Sequence, residues 1–288
     1  MASDDSLRIS EMPSLIQPAG RFAQYLRQTI DLVEIARASI NDYEGIAAMA
    51  EQIRSGGKVS ESPDGWDQDP PSGVAVARQE IEQDFPLLHA HSIVGMWGAF
   101  EAWIEDMAEE WIVITHDTLN WDRVASKIGR DALPIPLVAA LNPDKRTVAR
   151  QLRIALQEAN RGASGLAVAQ GVLKPLGLGV AVPAGVRENI HDLEQVRHVY
   201  AHTAGIADTD FVTRCPNLGL SVGDRVRVGH DQFHAFAGAL HKYVYAVARK
   251  AGEWYPSEES HEPEQAAIDD ELQVADSAPG GDELDGAV

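Results

Sequence analysis

The sequence predicts an all-α domain with two loose ends, and three observations carry that expectation. Apolar residues recur every three to four positions across most of the chain, the spacing of a buried helix face. Strand-like alternation is confined to short glycine-bounded runs. Beyond Tyr255 the chain is rich in Glu, Asp, Pro, Ser and Gly and has no apolar period. Such a composition cannot bury enough surface to offset the entropy of ordering, so a disordered acidic tail is expected over 255–288.

The elements follow in order. Residues 1–15 are expected to be flexible, and the domain to occupy 16–254. From 21 to 54, Phe22, Leu26, Thr29, Val33, Ala36, Ile40 and Ala47 line one side of a long helix that stops before Gly56 and Gly57. Residues 58–73 read as a loop punctuated by Pro63, Gly65, Pro70 and Pro71, with Trp66 placed to pin it to the body. A second long helix is predicted over 74–115, bent or interrupted at Pro86, because proline lacks an N–H and clashes with the preceding turn. In its second half Ile93, Trp97, Phe100, Ile104, Met107 and Trp111 form a dense stripe that reads as core.

Shorter helices are expected at 121–128, 137–141 and 144–160. Residues 161–183 are Gly-rich, with room for a short strand or a lid. No glycine pattern there follows a strand and opens a helix, so no nucleotide site and no cofactor are assigned. Residues 208–229 look irregular, and 221–228 alternate like one arm of a β-hairpin. A final helix over 231–254 turns Phe233, Phe236, Leu240, Tyr243, Val244 and Val247 inward.

Composition bounds the function. The single cysteine, Cys215, excludes an intrachain disulfide and a Cys-rich zinc site and fits a reducing cytosol. The polar, acidic start carries no signal pattern, and Lys174, prolines and glycines interrupt the one long apolar stretch. A cytoplasmic protein with no membrane partner is therefore expected. The net charge of −20 is uneven. Twelve acids and no Lys or Arg lie in 253–288, which leaves 32 acids against 24 bases elsewhere. Residues 123–161 run the other way, with eight bases against three acids. The basic face of the 144–160 helix, Arg146, Arg150 and Arg153, is the candidate RNA-binding surface.

The chemistry-bearing stretch is 189–211, NIHDLEQVRHVYAHTAGIADTDF. On a helix with about 100° per residue, Ile190, Leu193, Val196, Tyr200 and Ala204 share an apolar face. His191, His198 and His202 share a polar one. Arg197 falls within the apolar arc, where an unpaired guanidinium is costly and needs an acid, a phosphate or a partner surface. Arg225–His230 and Arg227–His234 repeat the Arg–His spacing but start in strand-like or loop sequence, so helical context selects Arg197 and His202.

RHVYAH, followed by Gly205 and Phe211, resembles the R-x(4–6)-H motif of the HEPN superfamily, in its RiboL-PSP/MAE-like group. The amphipathic IVGMWGAFEAWIEDMAEEW upstream and GDRVRV with a final helix downstream follow the same order, so the resemblance covers roughly residues 74–254. It implies a helical bundle, commonly dimeric. Many such domains are metal-independent endoribonucleases of toxin–antitoxin or antiviral systems, and others are non-catalytic.

On that reading Arg197, His202 and His198 are catalytic. His202 moves a proton and Arg197 holds phosphoryl charge. His198 stands where many relatives carry Asn, which leaves positioning or proton transfer open for it. Glu101 and Tyr200 are supporting. Glu101 is either a boundary carboxylate or the group that orients Arg197; a bridge to Glu101 or Glu194 would be Arg197's purely structural role. Arg197 and His202 stand about 140° apart on the helix, so a homodimer that pairs two such helices is expected. An antitoxin or other regulatory protein is a further expected partner. Two rival readings remain. His191, His198 and His202 could hold a Zn²⁺, or the chain could be a non-catalytic helical module that binds protein or RNA, with the tail as effector.

Overall fold

The computed structural model describes residues 12–54, 72–129 and 144–254. The expectations for a helix at 137–141, for Trp66 and for the 255–288 tail lie outside them. Within the described residues the fold is helical, as expected: α1 Met12–Arg54, α2 Ser72–Glu82, α3 Pro86–Thr115, α4 Trp121–Ile128, α5 Lys145–Glu158, α6 Leu166–Leu173, α7 Ala184–Thr203, α8 Thr209–Arg214 and α9 His230–Trp254. A single 3₁₀ turn, Pro216–Leu218, follows α8. None of these helices is long and apolar enough to cross a membrane.

The central element is α3, which touches α1, α5, α6, α7 and α9. Trp97, Phe100, Trp103, Ile104, Met107 and Trp111 are all buried, as their spacing requires. Phe100 stacks on Trp103 with ring centroids 5.7 Å apart and meets Tyr243 of α9 edge-on at 5.9 Å. The Trp111 indole N–H donates to the Leu176 carbonyl at 3.0 Å, which fixes the turn after α6.

The helix expected over 74–115 is interrupted at Pro86. Asp84 and Phe85 adopt left-handed backbone with φ of 58° and 56°, and α3 then restarts with proline in its first turn. No side chain at the N-cap of α3 satisfies its first N–H groups. The buried Glu80 carboxylate of α2 does so instead, accepting from Leu87 and from Leu88 at 3.1 Å. Asp84 likewise reaches across to accept the His230 N–H at 2.6 Å, at the start of α9. Arg37 of α1 lies 5.0 Å over the Phe85 ring and covers this turn. His89, buried beside it, donates its Nδ1–H to the Val228 carbonyl at 2.8 Å, which fixes the N–H tautomer at Nδ1. Burial is the main cause holding its pKa below the ordinary range.

Several boundaries differ from the sequence expectation. The first helix begins at Met12 and carries Pro18 inside it. Residues 161–183 hold α6, and 178–182 have no regular secondary structure. The expected hairpin arm at 221–228 makes only one isolated bridge, Ile206 to Arg225. Among the described residues there is no β-ladder; three backbone hydrogen bonds sew 205–207 to 223–226, and the Asp224 N–H turns back to the Ser221 carbonyl.

Candidate functional site

The motif helix α7 starts after Pro183 and buries Ile190, Leu193, Val196 and Val199. Its C-terminal end is sewn down tightly. The Tyr200 hydroxyl donates to the Val226 carbonyl. Gly205 accepts from Val226 at 2.8 Å, and Ala207 donates to the Asp224 carbonyl at 2.8 Å. Tyr200 thus ties the end of α7 to the 226 backbone, and burial raises its phenol pKa.

The helix ends at Ala204, the first left-handed residue, with φ 52° and ψ 36°. Gly205 follows with φ 81°, and a Cβ there would lie 2.8 Å from the Tyr200 ring, so glycine is required by space as well as by dihedral. Alanine at 204 has no such excuse. Ala204→Gly is expected to raise stability by about 1 kcal/mol, since left-handed backbone strains a residue with a Cβ. Urea unfolding would check this, and an unchanged or lower midpoint would show that the strain is absent.

His198 and His202 are both exposed, with ring centroids 4.5 Å apart and planes tilted by 50°. His202 lies in the last turn, where the helix dipole favours a cation. Arg197 is partly covered, its side chain 31% exposed, and its guanidinium sits 3.8 Å from the Glu101 carboxylate of α3. At that distance the contact is an ion pair rather than a hydrogen bond. Glu194, the other acid within reach in sequence, is engaged elsewhere: it accepts the Gly165 N–H at 2.5 Å and the Gln195 amide at 3.0 Å. Burial raises its pKa. The apolar-arc arginine therefore finds its acid on the neighbouring helix.

Two of the three expected RNA-binding arginines of α5 pair with acids of α3. Arg146 pairs with Glu110 at 2.9 Å, and Arg153 with Glu109 at 2.8 Å and Glu105 at 3.3 Å. Arg150 is exposed. Arg153, its side chain 13% exposed, is thus committed within the subunit, whereas Arg146, at 70%, stays open to solvent. A different set of cations lines a cleft of about 860 Å³ beside the N-terminal half of α7: Lys174, Arg187 and Arg214, with His191 and Asp192 in its wall. Among the described residues none of these three bases forms an ion pair with a carboxylate. Sequence reasoning missed the cleft because its bases come from three separate elements, each alone among apolar or acidic neighbours.

The histidine stripe does not converge on one point. His191 turns to the Arg214 carbonyl, with Nε2 at 3.2 Å, while His198 and His202 pair with each other. Among the described residues, two other groups bring three ligand-type atoms within 4.8 Å of one another. In Glu34, His230 and His234 the Arg37 guanidinium already stands between the partners, 2.7 Å from His230 Nδ1 and 3.3 Å from Glu34. In His191, Asp192 and Cys215, burial pushes the thiol up to about 12, and the protonated sulfur donates to Asp192, whose own pKa burial raises.

What the arrangement offers chemically is two accessible imidazoles side by side, with a guanidinium on the same helix held in place by a carboxylate. Comparison of the chain with family models, with curated proteins and with solved structures finds no match in any of the three.

Proposed function

We propose that this chain is a metal-independent endoribonuclease that cleaves RNA through its own 2′-hydroxyl. The observation that supports this best is the exposed His198–His202 pair, one turn from an arginine whose direction Glu101 sets. RNA carries the nucleophile, so the protein needs only to move protons and hold charge. One imidazole of the pair takes the 2′-hydroxyl proton as the 2′-oxygen bonds to phosphorus. The P–O5′ bond breaks, and a protonated imidazole gives its proton to the departing 5′-oxygen. Arg197 holds the charge that gathers on the non-bridging phosphoryl oxygens, which a planar guanidinium matches in shape. The products are a 2′,3′-cyclic phosphate and a 5′-hydroxyl. The cleft bases Lys174, Arg187 and Arg214 offer phosphate contacts further along α7.

The resemblance of the motif supports a place in toxin–antitoxin or antiviral defence, with a regulatory protein as partner. The Arg197–Glu101 pair also favours a second reading, a non-catalytic helical module in which the pair only knits α7 to α3. Incubation of the full chain with RNA in excess EDTA separates the two. Cleavage by wild type that His202→Ala abolishes supports the nuclease; intact RNA with both proteins supports the module.

A further inference from the structure

Helix α1 has two apolar faces, and among the described residues only one is covered. Phe22, Leu26 and Val33 are buried against the bundle. On the other side Leu32, Ile35, Ile46, Met49 and Ile53 are 64%, 63%, 60%, 63% and 74% exposed. Scattered apolar residues on a surface are ordinary, but large ones gathered along one helix face mark an interaction site. These five fall on the a and d positions of one heptad frame, the seam of a helix pair, and Ser39 and Asp42 fill the two intermediate positions. Ala38 and Gly45 flank the row on the exposed side, and nothing lies within 4 Å of where a Gly45 Cβ would be. Small flanks let a second helix come close.

We infer that α1 pairs with α1 of a second copy of this chain, antiparallel, about a twofold axis between residues 40 and 41. The polar residues select both partner and register. In an antiparallel seam each a position faces a d position. With the axis there, Leu32 meets the partner's Met49, Ile35 meets the partner's Ile46, and Ser39 meets the partner's Asp42. Each contact occurs twice, as an isologous interface demands. The Ser39 hydroxyl, which in the single chain donates to the Ile35 carbonyl at 2.8 Å, turns on pairing to the facing carboxylate, so the two polar seam residues meet each other. A parallel pair would instead set Asp42 against the partner's Asp42. Sliding the antiparallel pair by one heptad would set Asp42 against the partner's Ile46 and leave a carboxylate against an alkyl chain. A different protein would have to supply the same spacing and a hydroxyl at the same place, which this chain already supplies to itself.

The matched seam from Leu32 to Met49 is about 26 Å long at 1.5 Å per residue. That length suits a small specific interface, so the dimer dissociates on dilution. The inference rests on α1 alone and is independent of the nuclease reading.

Sedimentation velocity of the full chain over a wide concentration range tests it, with Ile35→Glu and Ile46→Glu as variants. Both positions are exposed, so circular dichroism should match wild type. The expected result is a reversible monomer–dimer equilibrium in wild type and monomer only in each variant. Register is read by cross-linking under an added oxidant. The native Cys215 is buried and does not interfere. A mixture of Ser39→Cys and Asp42→Cys chains should give more disulfide-linked dimer than either chain alone. A wild type that stays monomeric at every concentration overturns the proposal, whether because other residues of the chain cover the row or because another protein does. A dimer that survives both glutamates, or that cross-links as well from Ser39→Cys alone, also overturns it.

Discussion

Replacing His202 with alanine is expected to slow RNA cleavage by about 10²- to 10⁴-fold, the range for removing a positioned acid or base, and to leave the melting temperature unchanged. The two halves of that result come from the same fact. His202 is exposed in the last turn of α7, beside the His198 ring, so little packing is lost with it. A structural histidine would show the opposite pattern. Arg197→Ala should reduce cleavage as strongly, because the phosphoryl charge then lacks its counterion. It should also loosen the α3–α7 contact slightly, since Glu101 loses its partner. Cleavage rates and thermal melts on both variants check this. Full activity of His202→Ala at wild-type stability would remove the imidazole from the mechanism.

Trp111→Ala is expected to destabilise the fold by about 3–5 kcal/mol, the usual cost of truncating a fully buried Trp. Two losses combine. The indole is 2% exposed at the meeting of α3 with the turn after α6, and its removal opens a cavity among rigid helices. The Leu176 carbonyl also loses its donor at 3.0 Å, and a buried acceptor left unpaired adds its own cost. Leu176 precedes the segment that forms one wall of the cleft, so the cleft should open with the core. Urea unfolding measures the effect. A loss below about 1 kcal/mol would mean that the site relaxes around the hole, in the manner of the least costly core truncations.

How legible these features were depended on where the information sits. The α3 stripe and the α9 face could be read because each helix has one buried side, and period alone identifies it. Helix α6 could not, since LAVAQGVL carries no charge to mark an outer face. The row on α1 was hidden for a related reason: Phe22, Leu26 and Val33 already satisfied the expectation of a core face, and nothing in one chain says that a second apolar face is exposed. Arg146 and Arg153 looked like a basic surface because sequence shows a helix's own charges. The acids that neutralise them, Glu105, Glu109 and Glu110, belong to a helix some forty residues earlier in the chain. Pro86 was a clear break, but the left-handed Asp84 and Phe85 were not, because backbone held there by Arg37 and by the start of α9 is a tertiary effect. The Arg197–Glu101 pair was legible as a need before it was visible as a contact. A guanidinium in an apolar arc must find an acid, and Glu101 stood on the flank of the stripe that packs against it.

The central claim is that His198, His202 and Arg197 cleave RNA by in-line attack of the 2′-hydroxyl without a metal. Its most direct test is the chemistry of the broken ends. A defined RNA oligonucleotide is incubated with the full chain in excess EDTA, and the fragments are weighed by mass spectrometry, with an oligonucleotide bearing 2′-deoxy sugars as control. The account predicts 5′ fragments that end in a 2′,3′-cyclic phosphate, one water lighter than the linear phosphate, 3′ fragments that begin with a 5′-hydroxyl, and no cleavage of the deoxy control. Fragments that carry a 5′-phosphate and a 3′-hydroxyl, cleavage of the deoxy control, or RNA left whole would contradict it.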